Sequence, residues 1–391
     1  MGIKILHTSD VHIGAKLSYL GTKSKEQRNQ IRKTFENIIQ TAIEQKVDLV
    51  AISGDLFDNP FPSKVNVNLV RTQFEKLSSA NIKVAVIPGN HDYLAPGSVF
   101  VSDQMKFDDS NIHIFNDEKK TEWNIEELGL TVFGVPTVLQ KSKKSPLSRV
   151  KGSATQAMPG GSSTSKGDSG SSPELNRRLQ VALIHGSVDI MRKEEANYPI
   201  SQEEIDASTF NYIALGDWHS KLEIGKGGKA WYCGSPELIG SDQKGSGNVL
   251  IVEIGDSETK VTPIKVGQRE VVQEEIDLGK FKDLAELQKA LGQNAGANMV
   301  KLVTLTGKKS LSFQVDLEEL GEALRQKFFY LKIKDKTALE LTKEELEKYP
   351  EELLVGRYIK LLRENKELEA DIVEEAMQLG VRLLSEGDTN K

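Results

Sequence analysis

The sequence predicts an α/β protein of four layers, α/β/β/α, with two sheets packed face to face and helices outside, then a small α+β module and C-terminal helices. Three observations predict this. The first half alternates short, almost wholly apolar strands with amphipathic helices, the pattern of β-α units. The stretch from about residue 178 to 265 is rich in strands, enough for a second sheet. Strand after strand also ends abruptly in carboxylate, imidazole or amide residues, as though several strands delivered chemistry to one edge.

The chain begins with a strand inside Ile3–His12 that stops at Asp10-Val11-His12. Side chains two apart on an extended chain point the same way, so this ending can aim a carboxylate and an imidazole at one point. A polar, basic segment from Lys16 to Lys33 leads to a helix around Ile31–Gln45, whose apolar face is Phe35, Ile38, Ile39, Ala42 and Ile43. The strand Val47–Ser53 is nearly all apolar, as suits a central strand, and stops at Gly54-Asp55-Leu56-Phe57-Asp58. The pattern repeats with a helix Val65–Ser79, a strand Lys83–Ile87 and then Pro88-Gly89-Asn90-His91-Asp92.

Strands Asn111–Phe115, Glu122–Ile125 and Leu130–Val135 follow, the last two joined by a tight turn at Glu126–Gly129. Residues 137–173 turn to Ser, Gly and Lys with almost no apolar content and read as a disordered insertion within the domain. Its Lys141, Lys143, Lys144, Arg149 and Lys151 could brush a phosphate backbone or merely solvate a linker. Strand Arg178–Ile184 runs into His185-Gly186-Ser187, and after a helix near Ser201–Asp206 the strand Tyr212–Leu215 runs into Gly216-Asp217-Trp218-His219. Strands around Lys229–Cys233, Asn248–Ile254 and Lys260–Lys265 are expected to close the second sheet.

The expected organisation is a first domain at 1–267, a small α+β module at 268–340 and a helical segment at 341–391. The module carries strands Val271–Ile276, Met299–Thr306 and Phe329–Lys334 with helices Leu284–Leu291 and Leu317–Gln326. In the helical segment Leu353, Leu354, Tyr358, Leu361 and Leu362 form one apolar face and Ile372, Val373, Met377, Leu379 and Leu383 another, for self-packing or a partner.

At 391 residues with 38% hydrophobic content the chain can bury a real core. There is no uninterrupted apolar run of about 18 residues and no leader at MGIKILHTSD, so no membrane association and a cytoplasmic location are expected. One cysteine, Cys233, makes no internal disulfide and reads as a core residue of a reducing compartment. A net charge of −6 gives no global basic footprint, so a polyanionic substrate would have to be attracted locally.

Collected in order, the strand-end groups are Asp10, His12, Asp55, Asn90, His91, His185, Asp217 and His219. Four of the six histidines fall in them, while His7 and His113 sit inside predicted strands and read as structural. Carboxylate, imidazole and amide ligands together suit manganese, iron or zinc better than calcium. An aspartate between two cations about 3.5–4 Å apart can bridge them, and a water there can lose its proton near neutral pH and attack phosphorus. Trp218 could stack on an extruded base, though packing that fixes its loop is the simpler reading.

The order Asp-x-His, Gly-Asp-x-x-Asp, Gly-Asn-His-Asp, His and Gly-x-x-His resembles the calcineurin-like metallophosphoesterase superfamily. Within it, ILHTSDVHIG, DLVAISGDLFD, VAVIPGNHDY and YCGSPE are similar to SbcD-type nuclease subunits of DNA double-strand-break repair, strongly over residues 1–265 and beyond that only in layout. The resemblance implies a metallophosphoesterase sandwich with a capping module and a metal-dependent DNA exo/endonuclease using two divalent cations, manganese first, with Fe2+, Mg2+ or Zn2+ as alternatives. It implies that Asp10, His12 and His219 hold one cation, Asp55 bridges, and Asn90 and His185 hold the other. His91 would face the substrate to stabilise developing charge or protonate the leaving oxygen, and Asp58 would hydrogen-bond His91. Asp92 reads as structuring its loop. DNA, an ABC-type coiled-coil ATPase subunit and a second copy in a homodimer are the implied partners.

The last block departs from the family's Gly-His-x-His, with Asp217 standing where a histidine ligand of the second cation is expected. Aspartate can still serve, but three carboxylates instead of two against two divalent cations leave the site at +1 rather than +2. That favours harder ions such as manganese or magnesium and makes a bridging water less acidic. Two other readings stay open: a phosphodiesterase or phosphatase for a smaller phosphoester, and a weakly active scaffold subunit.

Overall fold

In the computed structural model, the structure describes residues 2–150, 178–189, 196–225, 227–240, 243, 245–255, 258–310, 315–340 and 349–386. The chain divides into two compact units, Met1–Arg269 and Glu270–Lys391.

The first unit runs β1 (Ile3–Thr8), α1 (Ser24–Glu44), β2 (Leu49–Ser53), α2 (Lys64–Ser79), β3 (Lys83–Ile87), β4 (Ile112–Ile114), β5 (Glu122–Ile125), β6 (Leu130–Gly134) and β7 (Leu179–His185). It continues with α3 (Gln202–Ala207), β8 (Tyr212–Gly216), β9 (Leu222–Ile224), β10 (Ala230–Tyr232), β11 (Asn248–Ile254) and β12 (Thr259–Lys265). One six-stranded sheet has the order β12-β11-β1-β2-β3-β4 and the other β5-β6-β7-β8-β10-β9. From β1 through β4 the neighbours are parallel, as are β6, β7, β8 and β10. The carboxyl ends of these strands therefore share an edge within each sheet.

Between the sheets lies an apolar core that includes Ile5, Leu49, Ala85, Val132, Leu183, Tyr212, Ala214 and Val252, each fully buried. On the outer face of the first sheet α1 and α2 pack against each other, with the Phe35 and Phe74 ring centroids 6.4 Å apart. A second core on the outer face of the other sheet gathers Phe133, Ile184, Ile205, Phe210 and Leu215, and Trp218 packs against it. The mixed α/β class read from the pattern is the observed one.

Three differences have physical causes. Helix α1 begins at Ser24, ahead of the apolar periodicity, because its first turns bury Gln27 and Gln30 rather than hydrocarbon. Gln27 Nε2 donates to the Leu238 carbonyl at 2.8 Å, a partner more than two hundred positions away that no periodicity records. Strands β11 and β12 do not close the second sheet: β11 runs antiparallel to β1, pairing Ile3 with Ile254 and His7 with Leu250, and β12 pairs with β11. The local pattern encodes a strand, but the partner is fixed by long-range packing, here Leu250, Val252 and Ile254 entering the core between the sheets.

Residues 137–150, expected within the insertion, are packed. Leu147 and Val150 are buried in the outer core, and the Tyr198 amide donates to the Ser142 carbonyl at 2.9 Å. Two apolar side chains among polar neighbours are enough to dock that segment. Lys141, Lys143 and Lys144 are exposed, and Arg149 reaches Glu118 at 3.2 Å. The remainder of the expected insertion, 151–173 with Lys151, lies outside the described residues.

The second unit has a parallel sheet of β13 (Glu270–Asp277), β14 (Met299–Thr306) and β16 (Tyr330–Asp335), with α4 (Leu284–Leu291) and α5 (Leu317–Arg325), and a short pair β15 (Lys308–Ser310) and β17 (Ala338–Glu340). Leu287, Leu291, Val303, Leu305, Leu320 and Leu324 form its core. Helices α6 (Leu354–Glu364) and α7 (Ala370–Glu386) pack through Val355, Ile359 and Val381 with Met377 and Leu384; of the faces expected from sequence, Met377 joins this contact and the Tyr358 hydroxyl donates to the Ala376 carbonyl at 2.6 Å. Leu354, Leu361, Ile372, Leu379 and Leu383 remain exposed. Residues 341–348 of the expected helical segment lie outside the described residues. Among the described residues no helix is long and apolar enough to cross a membrane.

His7 and His113 are structural, as read from sequence. His113 stacks on Trp123 with ring centroids 5.0 Å apart. His7 is fully buried beside the Tyr212 hydroxyl at 2.8 Å, and burial lowers its pKa from 6.5 to about 3. Cys233 is a buried core residue, and burial pushes its thiol pKa up. The folded state keeps His7 neutral while the unfolded chain takes up a proton below 6.5, so this site contributes stability at neutral pH that is lost on acidification. In EDTA, lowering the pH from 7 to 5 is expected to cost the wild type about 2 kcal/mol of unfolding free energy more than it costs His7→Gln, read from urea midpoints.

Candidate metal centre

Five strand ends supply the site. After β1 the chain continues alongside the end of β2, with the Asp10 amide donating to the Gly54 carbonyl at 3.1 Å and the His12 amide to the Asp55 carbonyl at 3.0 Å. This side-by-side course sets Asp10 and His12 next to Asp55. The loop after β3 is tied down by Asp92, which is buried and accepts from the Gly89 amide at 2.6 Å and the Phe57 amide at 2.9 Å. It thereby presents Asn90 and His91, the loop-structuring role read for Asp92 from sequence. His185 ends β7, and Asp217 and His219 follow β8, where the Asp217 amide donates to the Asp10 carboxylate at 3.2 Å.

The ligand atoms converge in overlapping groups: Asp10, His12 and His219; Asp10, Asp55 and His185; and His12, Asp58 and His91, each with its atoms within 4.8 Å of one another. Asp55 Oδ2 lies 3.5 Å from His12 Nε2 and 3.4 Å from His185 Nε2, midway between two groups. Its Oδ1 is held by the His91 amide at 2.8 Å. Asn90 Oδ1 stands 2.7 Å from His185 Nε2, and Asp217 Oδ1 3.8 Å from the same nitrogen. His219 Nε2 lies 3.9 Å from Asp10 Oδ1.

These residues fit divalent cations. The buried Nε2 of His12 has no hydrogen-bond partner, an orphan that a cation between His12 and Asp55 would satisfy. Burial, with Asp55 adding to it, raises Asp10 to about 6 against the pull of His185 and His12. Burial opposes the charge on His185, yet the Asp55, Asp10 and Asp217 carboxylates hold its pKa well above 6.5. Burial likewise opposes ionisation of Asp55, but His185, then His12 and His91, keep it well below the usual carboxylate range. A buried cluster of carboxylates that calls for positive charge in this way is what a cation site requires.

Two of the imidazoles, those of His185 and His12, are oriented from behind. His185 Nδ1 sits 2.9 Å from the Ser53 carbonyl, which turns Nε2 to the site. His12 Nδ1 sits 3.2 Å from the Asp58 carboxylate, which directs Nε2 toward Asp55. Here the structure differs from what the resemblance implied: the Asp58 carboxylate engages His12, and His91 Nδ1 instead meets the Asp58 backbone carbonyl at 3.3 Å. Asp58 lies beside the His12 segment, its amide donating to the Ile13 carbonyl at 3.3 Å, which puts its carboxylate within reach of that ring. His91 stays exposed, its ring centroid 4.6 Å from that of His12.

Residues 3–219, more than half of the chain, match the family model for calcineurin-like phosphoesterases. The chain belongs to this family. The phosphoesterase is accordingly a hydrolase, with residues grouped to hold divalent metal. It is similar to the DNA double-strand break repair protein Mre11 of Sulfurisphaera tokodaii, 25% identical over 332 residues that cover 82% of this chain and 77% of that protein. The Mre11 of Saccharolobus solfataricus is 26% identical over 263 residues, 64% of this chain and 60% of its own length. The SbcD component of the SbcCD nuclease of Staphylococcus epidermidis is 24% identical over 237 residues, 57% of this chain and 58% of that component.

The phosphoesterase holds its site with backbone strain. Asp10, His12 and Asp55 have φ of 52, 52 and 51°, and Asp217 has φ 101°, a region that costs a non-glycine residue about 1–3 kcal/mol. Of the glycines that precede these ligands, Gly54 has positive φ, at 93°, whereas Gly89 and Gly216 do not. Gly89 and Gly216 are required by close approach instead: a Cβ on Gly89 would strike the Asp55 carboxylate and amide, and one on Gly216 the Ser53 carbonyl. The sequence reading missed the orienting groups Ser9, which donates to Asp10, and Ser187, which donates to Asp217. Both neighbour a motif, but serine is too common to mark them.

Gly89→Ala is expected to displace Asp55, lowering unfolding free energy by about 3 kcal/mol and abolishing tight Mn2+ uptake, measured by denaturant unfolding and by Mn2+ titration. Wild-type uptake in that variant would show that Asp55 does not depend on this approach.

Proposed function

We propose that the chain is a DNA exo/endonuclease that hydrolyses phosphodiester bonds with two divalent cations, manganese foremost, in DNA repair. The observation that carries this is Asp55 Oδ2 standing between His12 and His185 at nearly equal distances, the place of a bridging ligand. The names of the relatives supply the substrate class. In this reading Asp10, His12 and His219 hold one cation, Asp55 bridges, and Asn90, His185 and Asp217 hold the other. Cations bound there would acidify a water and neutralise phosphate oxygens.

The protein's own groups do the rest. Asp58 and the Ser53 carbonyl fix the two imidazoles whose Nε2 atoms face Asp55. His91, exposed and anchored through Nδ1 to the Asp58 carbonyl, leaves Nε2 to donate a proton toward a leaving oxygen. The exposed Lys141, Lys143 and Lys144 offer local attraction for a phosphate backbone in a chain of net charge −6. The exposed leucines and isoleucine of α6 and α7 suit docking of a coiled-coil ABC-type ATPase subunit. A homodimer in the cytoplasm completes the proposed assembly.

Hydrolysis of linear duplex or single-stranded DNA in Mn2+ is the expected outcome, abolished by EDTA and reduced about 10³-fold or more in Asp55→Asn. His91→Gln should lower kcat by about 10²–10⁴-fold while leaving Mn2+ binding as it was. Cleavage of a generic bis-ester with none of the DNAs would point to a smaller phosphoester, and no turnover on any of them to a scaffold. Asp217→His is expected to change the affinity of the weaker Mn2+ and to lower the pH optimum, because a neutral imidazole in place of a carboxylate charge makes a bound water more acidic. An unchanged binding isotherm and pH profile would overturn that assignment of Asp217.

A further inference from the structure

Asp217 is a short side chain on a strained backbone, with φ 101°, and is held at both ends. Its amide is bound by the Asp10 carboxylate at 3.2 Å. Its Oδ2 accepts from the Ser187 hydroxyl. The remaining oxygen, Oδ1, faces His185 Nε2 at 3.8 Å. A donor on one carboxylate oxygen turns the other toward the cation side.

The segment that carries Ser187 is itself fixed from both sides. The fully buried Tyr232 hydroxyl donates to the Gly186 carbonyl at 2.6 Å and accepts from the Val188 amide at 2.9 Å, so it clamps the residues on either side of Ser187. The Ser187 amide donates to the Asn197 carbonyl at 3.1 Å, and the Ile200 amide to the Ser187 carbonyl at 3.0 Å. The Gly186 amide donates to the Gly216 carbonyl at 3.1 Å, which ties this segment to the residue preceding Asp217. The hydroxyl therefore acts from a rigid support, and rotation of Asp217 away from the site would break a hydrogen bond to a charged acceptor.

We propose that Ser187 is a positioning residue that fixes Asp217 as a one-oxygen ligand of the second cation. The inference rests on the two-cation reading above. A hydroxyl donor behind a ligating carboxylate sets its direction without competing for the ligating oxygen, and loss of such a partner typically weakens metal binding about 10–100-fold.

The experiment is a Mn2+ titration of the full chain by calorimetry, with electron paramagnetic resonance of free Mn2+ as a second readout. It compares wild type, Ser187→Ala, Ser187→Thr, Asp217→Ala and the Ser187→Ala/Asp217→Ala double variant. The wild type should bind two Mn2+, and Ser187→Ala should weaken only the weaker of them, about 10–100-fold. Ser187→Thr should restore it, and Ser187→Ala should have no further effect once Asp217 is alanine. Two wild-type isotherms from Ser187→Ala, or an equal loss in the Asp217→Ala background, would overturn the role of Ser187 and leave the two-cation reading standing. A wild type that binds fewer than two Mn2+ would overturn that reading and the inference together. Unfolding in EDTA separates loss of fold from loss of ligation; if Ser187→Ala does not fold, Ser187→Cys carries the same comparison with a weaker donor.

Discussion

Asp10, Asp55 and Asp217 crowd against His12 and His185 at a largely buried edge, and the rest of the structure answers to that crowding. Unit charges about 4 Å apart interact by about 4 kcal/mol at an effective dielectric of 20, so carboxylates brought together here need positive charge beside them. His185, with a pKa held well above 6.5, supplies part of it, yet burial, with Asp55 adding to it, still raises Asp10 to about 6. Divalent cations answer that remainder. The chemistry of the site and its electrostatic cost are thus the same fact.

Holding such a cluster calls for geometry that side chains alone do not provide. Parallel strands place their carboxyl ends along one edge, and left-handed residues just beyond turn the side chains inward. Gly89 and Gly216 let neighbouring turns approach more closely than any Cβ allows. The strain in these turns is balanced by the packed sheets behind them, whose core has Ile5, Leu49, Ala85 and Leu183 fully buried. Close-packed interiors deform little, so ligand positions set in this way hold.

The groups behind the site divide the labour. Asp58 and the Ser53 carbonyl turn two imidazoles, the His91 amide turns Asp55, and Ser187 turns Asp217. His91 belongs to one loop yet makes two contacts, its amide with Asp55 and its exposed ring with the Asp58 carbonyl. In the second unit α6 and α7 satisfy one apolar face against each other and leave Leu354, Leu361, Ile372, Leu379 and Leu383 exposed.

The strands, the chemical character of their ends and the kind of fold that gathers them are all written locally along the chain. Apolar runs such as LVAIS and KVAVI and ligand-type residues just past them are local signals, and each reads without knowledge of its neighbours. Folding in three dimensions settled the rest: which sheet β11 and β12 join, that Asp58 serves His12, that Gly89 and Gly216 act by close approach, and that Ser187 reaches Asp217. These are contacts between segments far apart in the chain, and their partners are chosen by packing and hydrogen bonding. Gln27 and Gln30 likewise hid the start of α1, since buried amides, one satisfied by distant Leu238 and the other by Thr34 within the helix, leave no apolar rhythm to read.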